Sequence, residues 1–181
     1  HVQDKNVIIA SNTNNANSVA LAFNKSRGAD GTATVVQSGD TVGEIKFLAA
    51  DGSNFEPVAS IKASVDSTPG NNDTPGRLTF LTTPDGSAAL SERMRIDNAG
   101  KIGIGTTLPL NKVQIDHSGA DGDDGLLIIR ADSSTADTNL LGGIGFDSTD
   151  GNVPSSITEA SAFIAAYAAE DHATTDKGGD L

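Results

Sequence analysis

The chain has 181 residues and a net charge of -12, it contains no Cys and no Trp, and only 4% of its residues are aromatic. The lack of Cys excludes disulfides, thiolate metal sites and cysteine nucleophiles. The acidic balance argues against nucleic acid and anionic membranes as partners, because both are bound by clusters of Lys and Arg, and no apolar run reaches the ~20 residues that a membrane-spanning helix needs.

Few aromatic residues predict a thin hydrophobic core, since aromatic side chains supply much of the apolar area that a core buries. A chain that buries little surface alone does not offset its loss of conformational entropy, so we expect it to bury more against other copies of itself. Nineteen of the 24 acidic residues are Asp, which favours turns over helices.

Short bursts of alternating apolar and polar residues follow one another along the chain and predict half-buried strands. They lie at Glu44–Phe47, Ala59–Val65, Arg77–Phe80, Arg93–Ile96, Lys101–Ile104 and Lys112–Ile115. Turn-forming residues such as Asp, Asn, Gly and Pro separate them. The predicted fold class is all-β, built from short strands and hairpins.

The segment from Arg93 to Ile104 predicts a tight hairpin, because Gly100 can adopt the positive φ that its short loop requires. Met94 and Ile96 are expected on one face of it. Gly103 and Gly105 carry no side chain, so another stretch of backbone can approach closely there.

The chain also resembles itself at a spacing of ~100 residues, which predicts a repeat. The first copy is assigned to residues 19–116 and the second, truncated copy to residues 117–181, with residues 1–18 as a linker or the end of a preceding unit. The matched sequences are Gly43–Phe47 with Gly142–Phe146, Ala59–Ala63 with Ala162–Ala166, and Gly76–Leu78 with Gly179–Leu181. We expect a second hairpin of the Arg93–Ile104 type after Leu181.

The segment Ser156–Ala169 gives conflicting indications. Ser156 to Glu159 has the pattern of a capping box before an Ala-rich stretch, which favours a helix. Its repeat partner, Ala59–Val65, alternates as a strand does, and Ala162, Ile164 and Ala166 keep that alternation. A strand is therefore predicted.

The segments Leu78–Thr83 and Ser91–Pro109 together resemble a stretch common in bacteriophage tail fibres: a strand ending in Phe-x-Thr, then Glu-Arg-Met-Arg-Ile-Asp, a Gly turn, Gly-Ile-Gly-Thr and a nearby Pro. Lys112–Ile115 takes the place of the final short strand in that pattern. The blocks Gly43–Gly76 and Gly143–Gly179 look like the shaft unit of the same fibres.

This resemblance implies an elongated, intertwined, homotrimeric β shaft on a virion, outside the cell, in contact with other tail or appendage proteins. Such a shaft holds receptor-binding parts for attachment to the host surface, so host surface polysaccharide is a candidate partner. The implied role is structural rather than enzymatic.

No catalytic or cofactor-binding residues are predicted. Gly103-Ile104-Gly105 lacks the third glycine and the helix of a dinucleotide-binding motif, and His1, His117 and His172 have no metal-ligand spacing. The acidic loop residues Asp121, Asp123 and Asp124 are the candidates for a cation site, although their spacing departs from that of an EF-hand and is typical of a solvated acidic turn.

Two other functions compete with a passive fibre shaft. One is a spike that binds or cleaves carbohydrate, because Asp-rich surfaces contain the carboxylate pairs that glycosidases use; release of oligosaccharide from host polysaccharide would identify it. The other is a cellular adhesin or filament built from the same repeat, which the neighbouring genes would distinguish from a viral protein.

Overall fold

A computed structural model describes residues 20–29, 32–117, 126–129, 131, 136, 138–147 and 156–168, together with the backbone of residues 179–180. The chain divides into two compact units, His1–Asp124 and Gly125–Leu181. In the described ranges the regular elements are β-strands, apart from one turn of 3-10 helix, and no helix there is long and apolar enough to cross a membrane. The predicted all-β class is confirmed.

The first unit is one six-stranded sheet in which each strand pairs with the next one along the chain. Its strands are β1 (Thr41–Ala50), β2 (Phe55–Val65), β3 (Gly76–Thr82), β4 (Ser91–Ile96), β5 (Ile102–Ile104) and β6 (Val113–Ile115). Each of the six predicted bursts of alternation overlaps one of them, and the last two bursts begin one residue before their strands. The sheet is antiparallel from β1 to β5.

The predicted hairpin between β4 and β5 is present, and its turn is fixed by Asp97. The Asp97 carboxylate accepts hydrogen bonds from the backbone N–H groups of Ala99 (2.9 Å) and Lys101 (2.8 Å). Gly100 has a φ of +69°, which only glycine adopts without strain. The register places Met94 opposite Ile104 and Ile96 opposite Ile102 on the same face.

The last strand pair, β5 and β6, is parallel, and the sequence pattern did not indicate this. Residues 105–112 make the crossover, and backbone lies close against both glycines. A Cβ atom on Gly103 would lie 2.7 Å from the carbonyl oxygen of Thr106, and one on Gly105 would collide with the carbonyl oxygen of Asp116. The prediction that backbone approaches closely at these glycines is confirmed.

The second unit has a three-stranded antiparallel sheet of β7 (Leu140–Phe146), β8 (Ala162–Ala168) and β9 (Gly179–Asp180). The strand prediction for Ser156–Ala169 is right over β8 but wrong at its start, where Ile157–Glu159 forms the 3-10 turn. Ser156 makes no side-chain cap there. The predicted helix is therefore limited to this single turn, and the backbone is extended again from Ala160.

The first hairpin of each unit has the same register. Ile45 lies opposite Ile61 in one unit and Ile144 opposite Ile164 in the other. The register shifts between Thr41 and Gly43 in the first unit and between Leu140 and Gly142 in the second.

The turn before each hairpin is also alike. The Asp40 carboxylate accepts a hydrogen bond from the N–H of Gln37 (3.0 Å), and the Asn139 side-chain oxygen accepts one from the N–H of Ala136 (3.1 Å). The segments that the sequence pairs as copies therefore adopt the same local structure.

Candidate assembly interface

One face of the six-stranded sheet is apolar from end to end. Directly opposed residues of neighbouring strands project to the same side, and the register puts these side chains together: Ile45, Phe47, Ala59, Ile61, Ala63, Leu78, Phe80, Met94, Ile96, Ile102, Ile104, Val113 and Ile115. We refer to this set as the apolar face.

The apolar face remains open in the single chain. Every described strand of the first unit belongs to this one sheet, so no second layer of strands packs on it there. Phe47 is 51% exposed and Val113 59%, and the residues of the middle strands, such as Phe80, are half-buried. Contiguous exposed apolar surface of this kind marks an interaction site.

The opposite face carries the polar residues, and several of them are buried. Glu44 lies opposite Lys62, and Lys62 in turn lies opposite Thr79. Thr79 is 1% exposed and Ser60 2%, and the Thr79 hydroxyl donates a hydrogen bond to the carbonyl oxygen of Lys62 (3.2 Å). Small polar residues in the middle of this face are thus buried while large apolar residues of the other face are exposed, which is the reverse of the burial expected for a monomer.

Ion pairs stabilise this polar side. Arg95 binds Glu92 through two hydrogen bonds of 2.5 and 2.9 Å, and this bidentate contact raises the pKa of Arg95. Arg77 contacts Asp66 at 2.8 Å. Because Asp66 also accepts a hydrogen bond from the N–H of Asn98 (3.0 Å), it ties the β4–β5 turn to the end of β2.

The pKa of Asp66 is lowered. Burial acts to raise it, but the hydrogen bonds from Arg77 and from the N–H of Asn98 outweigh burial. A carboxyl group with a depressed folded-state pKa stabilises the protein fully above its unfolded pKa of about 3.9, and this contribution is lost as the pH falls through the folded value.

We therefore expect Asp66→Asn to lower the free energy of unfolding by about 1–3 kcal/mol at pH 7 and to change it less below pH 4. Chemical denaturation of both proteins at pH 7 and pH 3 measures this. The control is Asp85→Asn, since Asp85 is exposed in a turn and should leave stability unchanged. An equal loss at both pH values would contradict the role of the carboxylate charge.

Another ion pair, between Arg27 and Asp40, holds the chain before β1. Arg27 donates hydrogen bonds to the Asp40 carboxylate from Nε (2.7 Å) and Nη2 (2.6 Å). This hydrogen bonding, with that from the N–H of Gln37, holds the pKa of Asp40 well below its usual range. Phe23, earlier in the same segment, packs over the position of Gly43, where a Cβ atom would lie 2.6 Å from the ring.

Two concave regions of the first unit border the apolar face. A cavity of about 480 Å3 is lined by Val42, Val65, Leu78 and Ile96, among others, and one of about 280 Å3 lies beside Phe23. A third, of about 370 Å3, lies between the segment 33–36 and the turn at 70–74. The first two are therefore parts of the same candidate interface.

The predicted cation-site residues Asp121, Asp123 and Asp124 lie outside the described residues, as do His1 and His172, and that prediction stands as made. His117 is exposed, and the described ranges hold no group of three or more His, Asp or Glu residues arranged to bind a metal ion. Gly103-Ile104-Gly105 is followed by the crossover and not by a helix.

Sequence reasoning identified the alternating residues of the apolar face but missed Phe23. An aromatic residue in the run Ala20–Phe23 was the available signal, but nothing in its spacing relates it to Gly43. The contact depends on how the segment folds back over β1.

No known family model matches the chain, and no curated protein matches it. Among solved structures it is similar to the carboxy-terminal domain of the bacteriophage T5 L-shaped tail fibre with its intramolecular chaperone domain, with 16% identity and a TM-score of 0.49 over 96% of this chain and 55% of that one. A structure of that carboxy-terminal domain alone gives 15% identity and a TM-score of 0.45 over 92% of this chain and 78% of that one. The chain thus spans about half the length of the first.

Proposed function

We propose that the chain is a structural segment of a tail fibre or related virion appendage, and that it works as a homotrimer in which the apolar face is buried between copies. The open apolar face is the observation that carries this proposal. The role is mechanical: the assembled sheets hold receptor-binding parts in position for attachment to the host cell surface.

Energetics favour covering the apolar face. Fully burying a Val, Leu, Ile or Phe side chain is worth about 1.5–3 kcal/mol, and Ile45, Phe47, Ile104, Val113 and Ile115 are each between 39% and 59% exposed. The free energy gained by burying the exposed area of these five residues, summed over several copies, is a large fraction of the 5–15 kcal/mol by which folded proteins are usually stable.

The virion assignment is supported by the tail-fibre-like sequence from Ser91 to Pro109. That sequence corresponds to β4, the Asp97 turn, β5 and most of the crossover. The resemblance therefore covers the part of the sheet whose backbone geometry requires glycine at particular positions and specific hydrogen bonds in the turn. The matching registers of the two hairpins support a shaft that repeats one unit.

Light scattering of the purified chain tests the assembly. We expect a molar mass three times that of the 18.4 kDa chain and a thermal midpoint that rises with protein concentration, because association stabilises the folded state by mass action. A monomer that is stable at all concentrations would contradict the proposal.

A pair of neighbouring substitutions in β1 tests which face is buried. Phe47 is 51% exposed on the apolar face, and the Lys46 side chain is 52% exposed on the polar face. We expect Phe47→Ser to raise the concentration at which the trimer dissociates by at least tenfold, and Lys46→Ser to leave it unchanged. Equal effects of the two variants would count against the apolar face as the interface.

Attachment and catalysis are separated by incubating the protein with host surface polysaccharide. A passive fibre segment is expected to release no oligosaccharide. Release of sugar would favour a depolymerising spike instead, without affecting the assembly measurements.

A further inference from the structure

Two extended apolar segments precede the hairpins of the two units. They are Ala20–Phe23 and Leu126–Ile129, and each places one side chain over a glycine of the following strand. Phe23 lies over Gly43, and a Cβ atom on Gly142 would lie 2.6 Å from Cγ2 of Ile128. Phe23 and Ile128 therefore each contact the sheet of their own unit.

The other side of the second segment is open. Leu127 is 77% exposed, Ile129 72% and Leu126 69%, whereas Ile128, the residue that lies over Gly142, is 47% exposed. The backbone groups of residues 126–129 form no hydrogen bonds with other described residues.

Four consecutive large aliphatic residues are typical of strands that are buried on both faces. The structure buries one face of 126–129 only in part and leaves the other in solvent. An extended apolar segment with unpaired backbone is a template for pairing with another chain.

We propose that Leu126–Ile129 is a self-association segment, in which Leu127 and Ile129 pack against the same segment of a second copy while Ile128 stays on its own sheet. The inference rests on the proposed function in requiring self-association, and adds to it the residues at which copies meet near a common axis.

A second copy fits this segment better than another partner does. The segment has no charged residue in a chain of net charge -12, so it is a place where identical copies can approach without like-charge repulsion. An identical copy also supplies, at the same place, a backbone that lacks hydrogen-bond partners. An anionic lipid surface is disfavoured because Arg130 is the single Lys or Arg within ten residues of the segment, whereas Asp121, Asp123 and Asp124 shortly precede it.

Single-cysteine variants test the proposal cleanly because the natural chain contains no Cys. We expect Leu127→Cys to form a covalent dimer on mild oxidation, since a disulfide joins Cα atoms about 4.4–6.8 Å apart. With three chains around one axis, two of every three chains can be linked, and a reductant should reverse the link.

Ile128→Cys is the matched control, because residue 128 faces its own sheet and should give little covalent dimer. Comparable dimer from both variants would overturn the assignment of the two sides. If Leu127→Cys stays uncrosslinked while light scattering still shows a trimer, the inference is wrong and the proposed function stands. A monomeric wild-type chain would instead overturn the proposed function.

Discussion

Replacing Gly105 by alanine is expected to lower the free energy of unfolding by about 2–5 kcal/mol. Gly105 has a φ of +75°, where a Cβ atom costs about 1–2 kcal/mol. The new methyl group would also collide with the carbonyl oxygen of Asp116, and overpacking of this kind costs about 1–3 kcal/mol. Asp116 cannot move freely, because its N–H donates to the carbonyl oxygen of Ile104 at 2.8 Å.

Gly100→Ala is the control for this prediction. Gly100 has a similar φ of +69°, but no atom lies within 4 Å of the position of its Cβ. It should therefore show the backbone cost alone, about 1–2 kcal/mol. Thermal midpoints at one fixed protein concentration measure the difference, at roughly 2–4 °C for each kcal/mol. Equal midpoints for the two variants would contradict the close approach of Asp116 to Gly105.

Phe80→Asp is expected to prevent formation of the assembled protein. Phe80 is at the centre of the apolar face, between Ile61 on β2 and Met94 on β4. If copies cover this face, the new carboxylate has no polar partner among its neighbours, and a buried unpaired charge costs several kcal/mol. Light scattering at neutral pH should show monomer or aggregate in place of the trimer.

Phe80→Leu separates the effect of charge from the loss of the ring. Leucine and aspartate have the same number of side-chain heavy atoms and branch at the same carbon, so the main difference between the variants is the charged carboxylate in place of two methyl groups. We expect the leucine variant to assemble with a moderate loss, because conservative apolar replacements in a core usually cost less than about 1.5 kcal/mol. Wild-type mass and midpoint for Phe80→Asp would mean that solvent reaches this face in the native protein.

Much of the sheet could be predicted from the sequence because its strands are half-buried. Alternation with a period of two identifies both a strand and its apolar side, as it did for β2 and β3. The Asp97–Gly100 turn was equally readable, since its geometry depends on local residues. The segment before β8 was less so, because the Ser156 pattern favours helix while the following residues favour strand, and the short 3-10 turn satisfies both.

Contacts between residues that are distant in sequence could not be predicted from local sequence patterns. The parallel pairing of β5 with β6 depends on the crossover passing over Gly103. The sequence indicated that backbone can approach this glycine, but it did not indicate which part of the chain does so. The contacts of Phe23 with Gly43 and of Asp66 with the N–H of Asn98 join residues far apart in sequence, and neither carries a periodic signal.

The sequence by itself determined the all-β class, the positions of the strands in the first unit and the side of each strand that is apolar, because these depend on neighbouring residues and on glycine at particular turns. Only the tertiary structure decided that the apolar sides join into one continuous face and that this face stays open while polar residues such as Thr79 are buried. The physical reason is register: a face exists only when strands from distant parts of the chain are aligned, and one shift by a single residue would have turned a strand's apolar side to the opposite surface.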